Sequence, residues 1–193
     1  ERSLGSGVIV SADGLVLMPY WGGVMNPFWD ATASGAIIGL RGHHGPAHVF
    51  RAVLEGIALE QRLQTTRVQA LAPIDVMVVM GGGSRSDLWC QILADVLDKR
   101  VVRAASREAT ALGAGVLAAV GSGEGDADTL VEAMTRDGEA FIPGVRAAHY
   151  DRLYRDVYEG LYLSLRERLA ALDGLRADGA ARRDGATVSV EAN

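Results

Sequence analysis

Apolar and polar positions fall in blocks along this chain, and the blocks predict a strand-rich start followed by strand–helix pairs. Two short apolar segments come first, a weak one at residues 8–10 and a better one at 15–18, with the turn-like SADG between them. The aromatic, glycine-bearing loop PYWGGVMNPFWD (19–30) leads into GAIIGL (35–40), read as a short buried strand. Gly45-Pro46 then opens a long helix to about Leu71, in which Val49, Val53, Leu54, Ile57 and Ala58 recur at three- and four-residue steps. Pro73 ends it.

The next block, DVMVVM (75–80), suits burial on both sides, as in a parallel sheet. It runs into Gly81, Gly82 and Gly83, and a helix over about 87–97 follows with Leu88, Ile92 and Val96 on one face. KRVVRA (99–104) reads as another strand, and EATALGAGVLAAV (108–120) as a helix with one side almost all Ala and Gly. From Asp128 onward the pattern is helical, and residues 147–172 carry two stripes at four-residue spacing. One is Leu153, Val157, Leu161, Leu165 and Leu169; the other is Tyr150, Tyr154, Tyr158 and Tyr162. Such stripes pack a terminal helix onto its own domain or face a partner, and the first reading is preferred. Residues 173–193 lack periodicity and read as a disordered tail. Two hairpin-like strands before a βαβαβα run fit an α/β fold with a mixed sheet flanked by helices.

Of 193 residues, 49% are apolar and 22% charged, the profile of a globular domain with a real core. A net charge of −5 argues against nucleic-acid partners, which require neutralised phosphates. No apolar run reaches the ~20 residues of a membrane helix. The lone cysteine, Cys90, excludes an internal disulfide and suits a reducing cytoplasm; inside a helix it is expected to be buried and inert. The chain starts at Glu1 rather than Met and reads as a piece of a longer polypeptide.

The triple glycine raises the chemical question. It lies at the carboxyl end of a strand and just before a helix amino terminus, where open α/β sheets bind ligands. Glycine lets a flat or charged ligand touch the main chain, and the helix start offers unpaired N–H groups. Ser84, Ser86 and Asp87 are candidate caps. A tight turn that merely needs glycine is the plainer explanation, but three in a row favour a nucleotide-type site. No Lys-Ser or Lys-Thr follows, so this is not a P-loop. Ser86 stands where a dinucleotide fingerprint needs Gly or Ala, and the next strand ends without an acid.

Residues 80–123, MGGGSRSDLWCQILADVLDKRVVRAASREATALGAGVLAAVGSG, resemble the carboxyl-terminal domain of the FGGY carbohydrate kinases, in particular xylulokinase-like members. GAIIGLRGHHGPAHVFRAVLE (35–55) fits the family's second signature, and the 19–30 loop resembles its Pro-Tyr-(loop)-Pro-x-Trp-Asp element. The resemblance covers about residues 15–172 and implies a domain over residues 1–172. It implies an actin-like ATPase architecture, built from ribonuclease-H-like domains around a cleft. It also implies ATP and Mg²⁺, and transfer of the γ-phosphoryl group to a hydroxyl of a pentulose such as xylulose, or of a polyol. Gly82 and Gly83 would then form the platform under adenine and ribose, Gly81 would turn the chain, and Ser86 and Asp87 would face base or ribose. The helix from Glu108 would flank the adenine pocket, its small face serving close packing or the ligand.

In that family the general base and first phosphate loop come from an amino-terminal domain, and neither is recognisable here. The expectation is an adenosine half-site with no catalytic residue, inactive alone, and able to form a homodimer through the surface that the other domain would cover. A non-catalytic assembly or regulatory module on the same fold is the rival reading. WGGVMN (21–26) departs from the family's Gly-Glu-Arg after the Tyr and leaves the sugar open. Asp30 could touch metal or sugar but reads better as a turn cap. Trp21, Phe28 and Trp29 could stack on a sugar ring but read better as loop packing. His43, His44 and His48 suit a helix start, with no acid or cysteine to complete a metal set.

Overall fold

A computed structural model describes residues 14–105, 108–134 and 137–188, in two units: Glu1–Glu60 with Leu153–Asn193, and Gln61–Arg152. The weak strand expected at 8–10 and residues 189–193 of the expected tail lie outside the described residues.

In the first unit, β1 (Val16–Met18) pairs antiparallel with β2 (Ala36–Ile38), Leu17 opposite Ile37. β1 is buried throughout, but β2 is not the buried strand expected: Ile37 is 47% exposed, because β2 is covered on one face only. Helix α1 (Pro46–Gln69) starts where proline at the first helical position is pre-organised. Two histidines secure that start. His48 Nδ1 accepts from the Gly45 N–H at 3.1 Å, and His44 Nδ1 accepts from the Arg41 N–H at 2.9 Å. Within the unit, α1 sets Val49, Ala52 and Val53 against Leu15 and Leu17. At Gly56 a Cβ would drive into the Leu17 carbonyl oxygen, so the helix comes this near β1 only through glycine.

The tyrosine stripe packs inward as expected. α5 (Ala147–Leu153) continues into a π-helical turn, Tyr154–Tyr158, and then α6 (Glu159–Val188). A strict four-residue repeat overshoots an α-helical turn by about 40° per step. The wider π turn takes up that excess. It holds Tyr154, Tyr158 and Tyr162 on one face, each at most 3% exposed. Tyr20 and Tyr158 both donate to Glu60 Oε2 at 3.1 Å, and Tyr158 also reaches the Gly56 carbonyl at 3.3 Å. The Leu stripe is mixed: Leu161 and Leu169 are buried, while Val157 faces outward. The expected frayed tail from residue 173 needs correcting, since α6 runs on to Val188. Leu175, Arg176 and Ala177 are good helix formers with no buried face, so propensity extends the helix where periodicity gives no sign.

The second unit is built on a mixed sheet of order β3-β4-β5: β3 (Val76–Val79), β4 (Arg100–Ala104) and β5 (Asp137–Phe141). β3 runs parallel to β4, Val79 opposite Arg103; β5 runs antiparallel, Val101 opposite Phe141. Two expectations fail here. β3 is an edge strand rather than one buried on both faces, with Val76 and Val78 about half exposed. β5 lies in a stretch expected to be helical: DGEAF is short, acidic and bulged against β4, so alternation does not mark it.

Helix α2 (Asp87–Leu97) lays Cys90, Ile92 and Val96 into a core shared with Val101 and Val102 of β4, all at most 1% exposed. Cys90 is buried, as expected. Its C-cap, Asp98, takes the left-handed conformation at φ 52°, which short polar residues tolerate. Buried Asp95 accepts from the Gly144 N–H at 2.7 Å and from Gln91 Nε2 at 2.8 Å, fixing the turn after β5 onto α2. Arg62 donates to the Val96 carbonyl at 2.9 Å and to Asp151. α3 (Ala109–Gly121) and α4 (Ala127–Met134) complete the unit.

Candidate functional site

Because β3 and β4 are parallel, their carboxyl ends lie together, and the glycine loop sits at that edge. Gly81 has φ 84° and ψ −170°, a conformation reserved in practice for glycine, so this residue turns the chain. Gly82–Arg85 then form one 3₁₀ turn. Gly81's carbonyl accepts from the Ser84 N–H at 3.3 Å and from Ser84 Oγ at 2.8 Å.

The other two glycines differ. Neither Gly82 nor Gly83 has a positive φ. A Cβ on Gly82 would meet nothing within 4 Å, and one on Gly83 would touch only the Trp89 indole, at 3.5 Å to Nε1 and 3.6 Å to Cδ1. Both residues are exposed. Neither conformation nor packing inside the chain requires glycine at these two positions.

Ser86 ends the loop as N-cap of α2: its Oγ accepts from the Trp89 N–H at 3.2 Å, which leaves its own O–H able to donate. Asp87, with a side chain 73% exposed, is paired with Arg103 at the end of β4. Arg103 also binds Glu139 at 3.0 Å and lies over the Phe141 ring at 5.1 Å. The pairing offsets a carboxylate charge that would otherwise oppose an anion at this helix start. Sequence reasoning named Gly81, Gly82, Gly83, Ser86 and Asp87, which their adjacency in the chain brings together in one loop at the head of α2. It missed Trp89 and Arg103; strand–helix order with the three-residue step from Ser86 could have pointed to the first.

α3 answers the question about its small face. A Cβ at Gly115 would meet Met134 Cε of α4 at 3.4 Å, so close packing favours a small residue there, whereas a Cβ at Gly113 would meet nothing within 4 Å.

The 19–30 loop, in the first unit, carries a second set of candidates. Val24 and Asp30 exchange backbone hydrogen bonds at 2.9 and 2.8 Å, closing the loop around a shallow depression of about 210 Å³ lined by Gly22, Gly23, Met25, Trp29 and Asp30. Asp30 is the turn cap expected, accepting from the Thr32 N–H at 2.9 Å and Thr32 Oγ1 at 2.7 Å. It also anchors the loop to α6, accepting from the Tyr162 hydroxyl, with Arg166 Nε at 3.4 Å. The loop-packing expectation survives only for Phe28, which packs on Tyr162 at 4.5 Å; Trp21 and Trp29 are 69% and 75% exposed.

The hydrogen bond from Tyr162, then those from Thr32, hold the Asp30 carboxyl well below the usual carboxylate range. Burial, followed by that same bond, pushes the Tyr162 hydroxyl up to about 12. A depressed acid contributes stability above its unfolded pKa and loses it as pH falls through its folded value. Tyr162→Phe is therefore expected to bring Asp30 back toward the ordinary range and to weaken the neutral-pH fold relative to the acid one. A carboxyl-carbon NMR titration checks this, and an unchanged Asp30 midpoint contradicts it.

Residues 5–122 match the family model described as the FGGY family of carbohydrate kinases, C-terminal domain. The chain belongs to that family. The xylulose kinase of Bacillus subtilis (strain 168) is 31% identical over 170 residues, 86% of this chain and 34% of that protein. A glycerol kinase of Thermococcus gammatolerans is 34% identical over 144 residues, 75% and 29% of the respective chains. Among solved structures, xylulose kinase from Rhodospirillum rubrum superposes with a TM-score of 0.69 at 36% identity, covering 83% of this chain and 32% of that one. Ligand-bound xylulose kinase from Lactobacillus acidophilus gives 0.72 at 25%, covering 80% and 32%. The expected fold stands: a mixed sheet flanked by helices, as in the actin-like ATPases to which FGGY kinases belong. The chain spans about a third of the length of these relatives.

Proposed function

We propose that this FGGY domain is the ATP-binding half of a sugar kinase, with the nucleoside lying on the bare main chain of Gly82 and Gly83. The supporting observation is that these two glycines serve no internal purpose, while Gly81 does. The Ser86 hydroxyl proton is available to a base or ribose acceptor. Asp87 is a weaker candidate for direct contact because Arg103 already holds it.

The acceptor proposed is a pentulose such as xylulose, following the xylulose kinases among the relatives; the glycerol kinases make a smaller polyol the competing acceptor. Phosphoryl transfer needs a carboxylate to take the hydroxyl proton and Mg²⁺ to bridge the phosphates. Among the described residues no group of three or more His, Cys, Asp or Glu is disposed to hold a metal, so no metal-dependent step is assigned to this chain. The base is proposed to come from an amino-terminal domain equivalent to the rest of the relatives' length, in a cytoplasmic protein where ATP is held.

Trp21, Met25 and Trp29, all more than two-thirds exposed, support a surface which that domain covers. With the surface uncovered, the chain is expected to self-associate, and a monomer in sedimentation at high concentration contradicts this. Calorimetry tests the main proposal: ADP is expected to release or absorb heat saturably, while the chain alone transfers no phosphate to xylulose. No heat at millimolar ADP would favour a non-catalytic assembly or regulatory module.

A further inference from the structure

The glycine loop is bare, but one side chain borders it. Trp89 stands in the first turn of α2, where the Cα–Cβ bond tilts toward the helix amino terminus and carries the ring back toward the loop. Its pyrrole edge is the part that faces Gly83, since Nε1 and Cδ1 are the atoms nearest to where a Cβ would stand. The residue is half-buried. Its backbone N–H caps onto Ser86, yet among the described residues nothing accepts from its indole N–H. That N–H is open to solvent rather than enclosed, so it is free to donate to a ligand laid on the loop. Here a flat aromatic edge and an unused donor sit beside main chain that has no need to be bare.

We propose that Trp89 is a recognition residue of the nucleotide site, its indole edge walling the glycine floor and its Nε1–H donating to an acceptor on the nucleoside. This rests on the nucleotide reading above and goes beyond it by naming the side chain that selects. The nucleoside, rather than the phosphate end, is the partner because the donor is neutral, single and flanked by apolar ring surface. A phosphate would be matched by charge or by several converging N–H groups. A packing role alone would be met equally by phenylalanine, which carries no donor toward the loop.

The test uses the full chain with Trp21 and Trp29 replaced by Phe, which leaves Trp89 the one remaining indole of three. Adenosine, AMP and ADP are each titrated by fluorescence and calorimetry. Trp89 emission is expected to change saturably with all three. Trp89→Phe, in the parent chain, is expected to weaken all three by a common factor of about tenfold, the worth of one hydrogen bond in a shielded site. Trp89→Ala should weaken them further, with the melting transition of the Phe variant kept. ADP binding that is unchanged in Trp89→Phe overturns the proposal and leaves the glycine site standing. A loss for ADP but not for adenosine also overturns it. Failure of the parent chain to bind ADP overturns both readings.

Discussion

Gly82→Val is expected to abolish ADP binding while circular dichroism and the melting transition stay those of the parent chain. The open space at Gly82 means the new side chain meets no protein atom within reach of its Cβ. It fills instead the space where a nucleoside would touch the backbone. Gly83→Val should act in the same way, against the Trp89 indole. The alanine versions sharpen the contrast. At positions whose backbone suits alanine, Gly→Ala stabilises by about 0.4–1 kcal/mol through the unfolded chain, so binding is expected to fall while stability holds or rises. Gly81→Ala should do the reverse and weaken the fold by about 1–2 kcal/mol, because φ 84° strains any side chain. If Gly82→Val or Gly83→Val loses its melting transition along with binding, the glycines serve the turn and the site reading fails.

A large stability effect is expected at Gly56. A methyl group there has no place to go, since the obstacle is a backbone carbonyl of a buried strand rather than the end of a flexible side chain. Gly56→Ala should cost about 3 kcal/mol, the upper range for overpacking a tight core. α1 would have to lift off β1, disturbing the Glu60 pairings with Tyr20 and Tyr158 one turn away. Gly113→Ala in α3 makes the control. That glycine is helical and faces open space, so the same substitution should stabilise by about 0.5–1 kcal/mol. Denaturant melts of the two variants check the opposed signs; equal effects would contradict the packing account.

The contrast among glycines also marks what could be read from the chain. Strand-then-glycine-then-helix order at residues 76–97 located the loop, because local turn chemistry is written in adjacent residues. Which glycine serves the turn and which lies bare is not written there. That depends on neighbours brought in from α2, and only coordinates show Gly81 strained and Gly82 open. Likewise the tyrosine repeat predicted a packed helix, but a repeat of four does not announce the π turn that makes it work. β5 escaped because an acidic, bulged edge strand lacks alternation, and the continuation of α6 past residue 172 escaped because Leu175, Arg176 and Ala177 present no buried face. The exposed Trp21 and Trp29 escaped for a third reason. Aromatic residues usually pack, and nothing in the residues around Trp21 and Trp29 marks these two as exposed.

The most direct measurement is a backbone amide NMR titration of the chain with ADP. Saturable shifts centred on the amides of Gly82 and Gly83, with the Trp89 indole N–H moving alongside, are the result expected of a nucleoside laid against bare main chain. Binding that saturates while those three signals stay still, with the shifts gathered elsewhere in the chain, would contradict it.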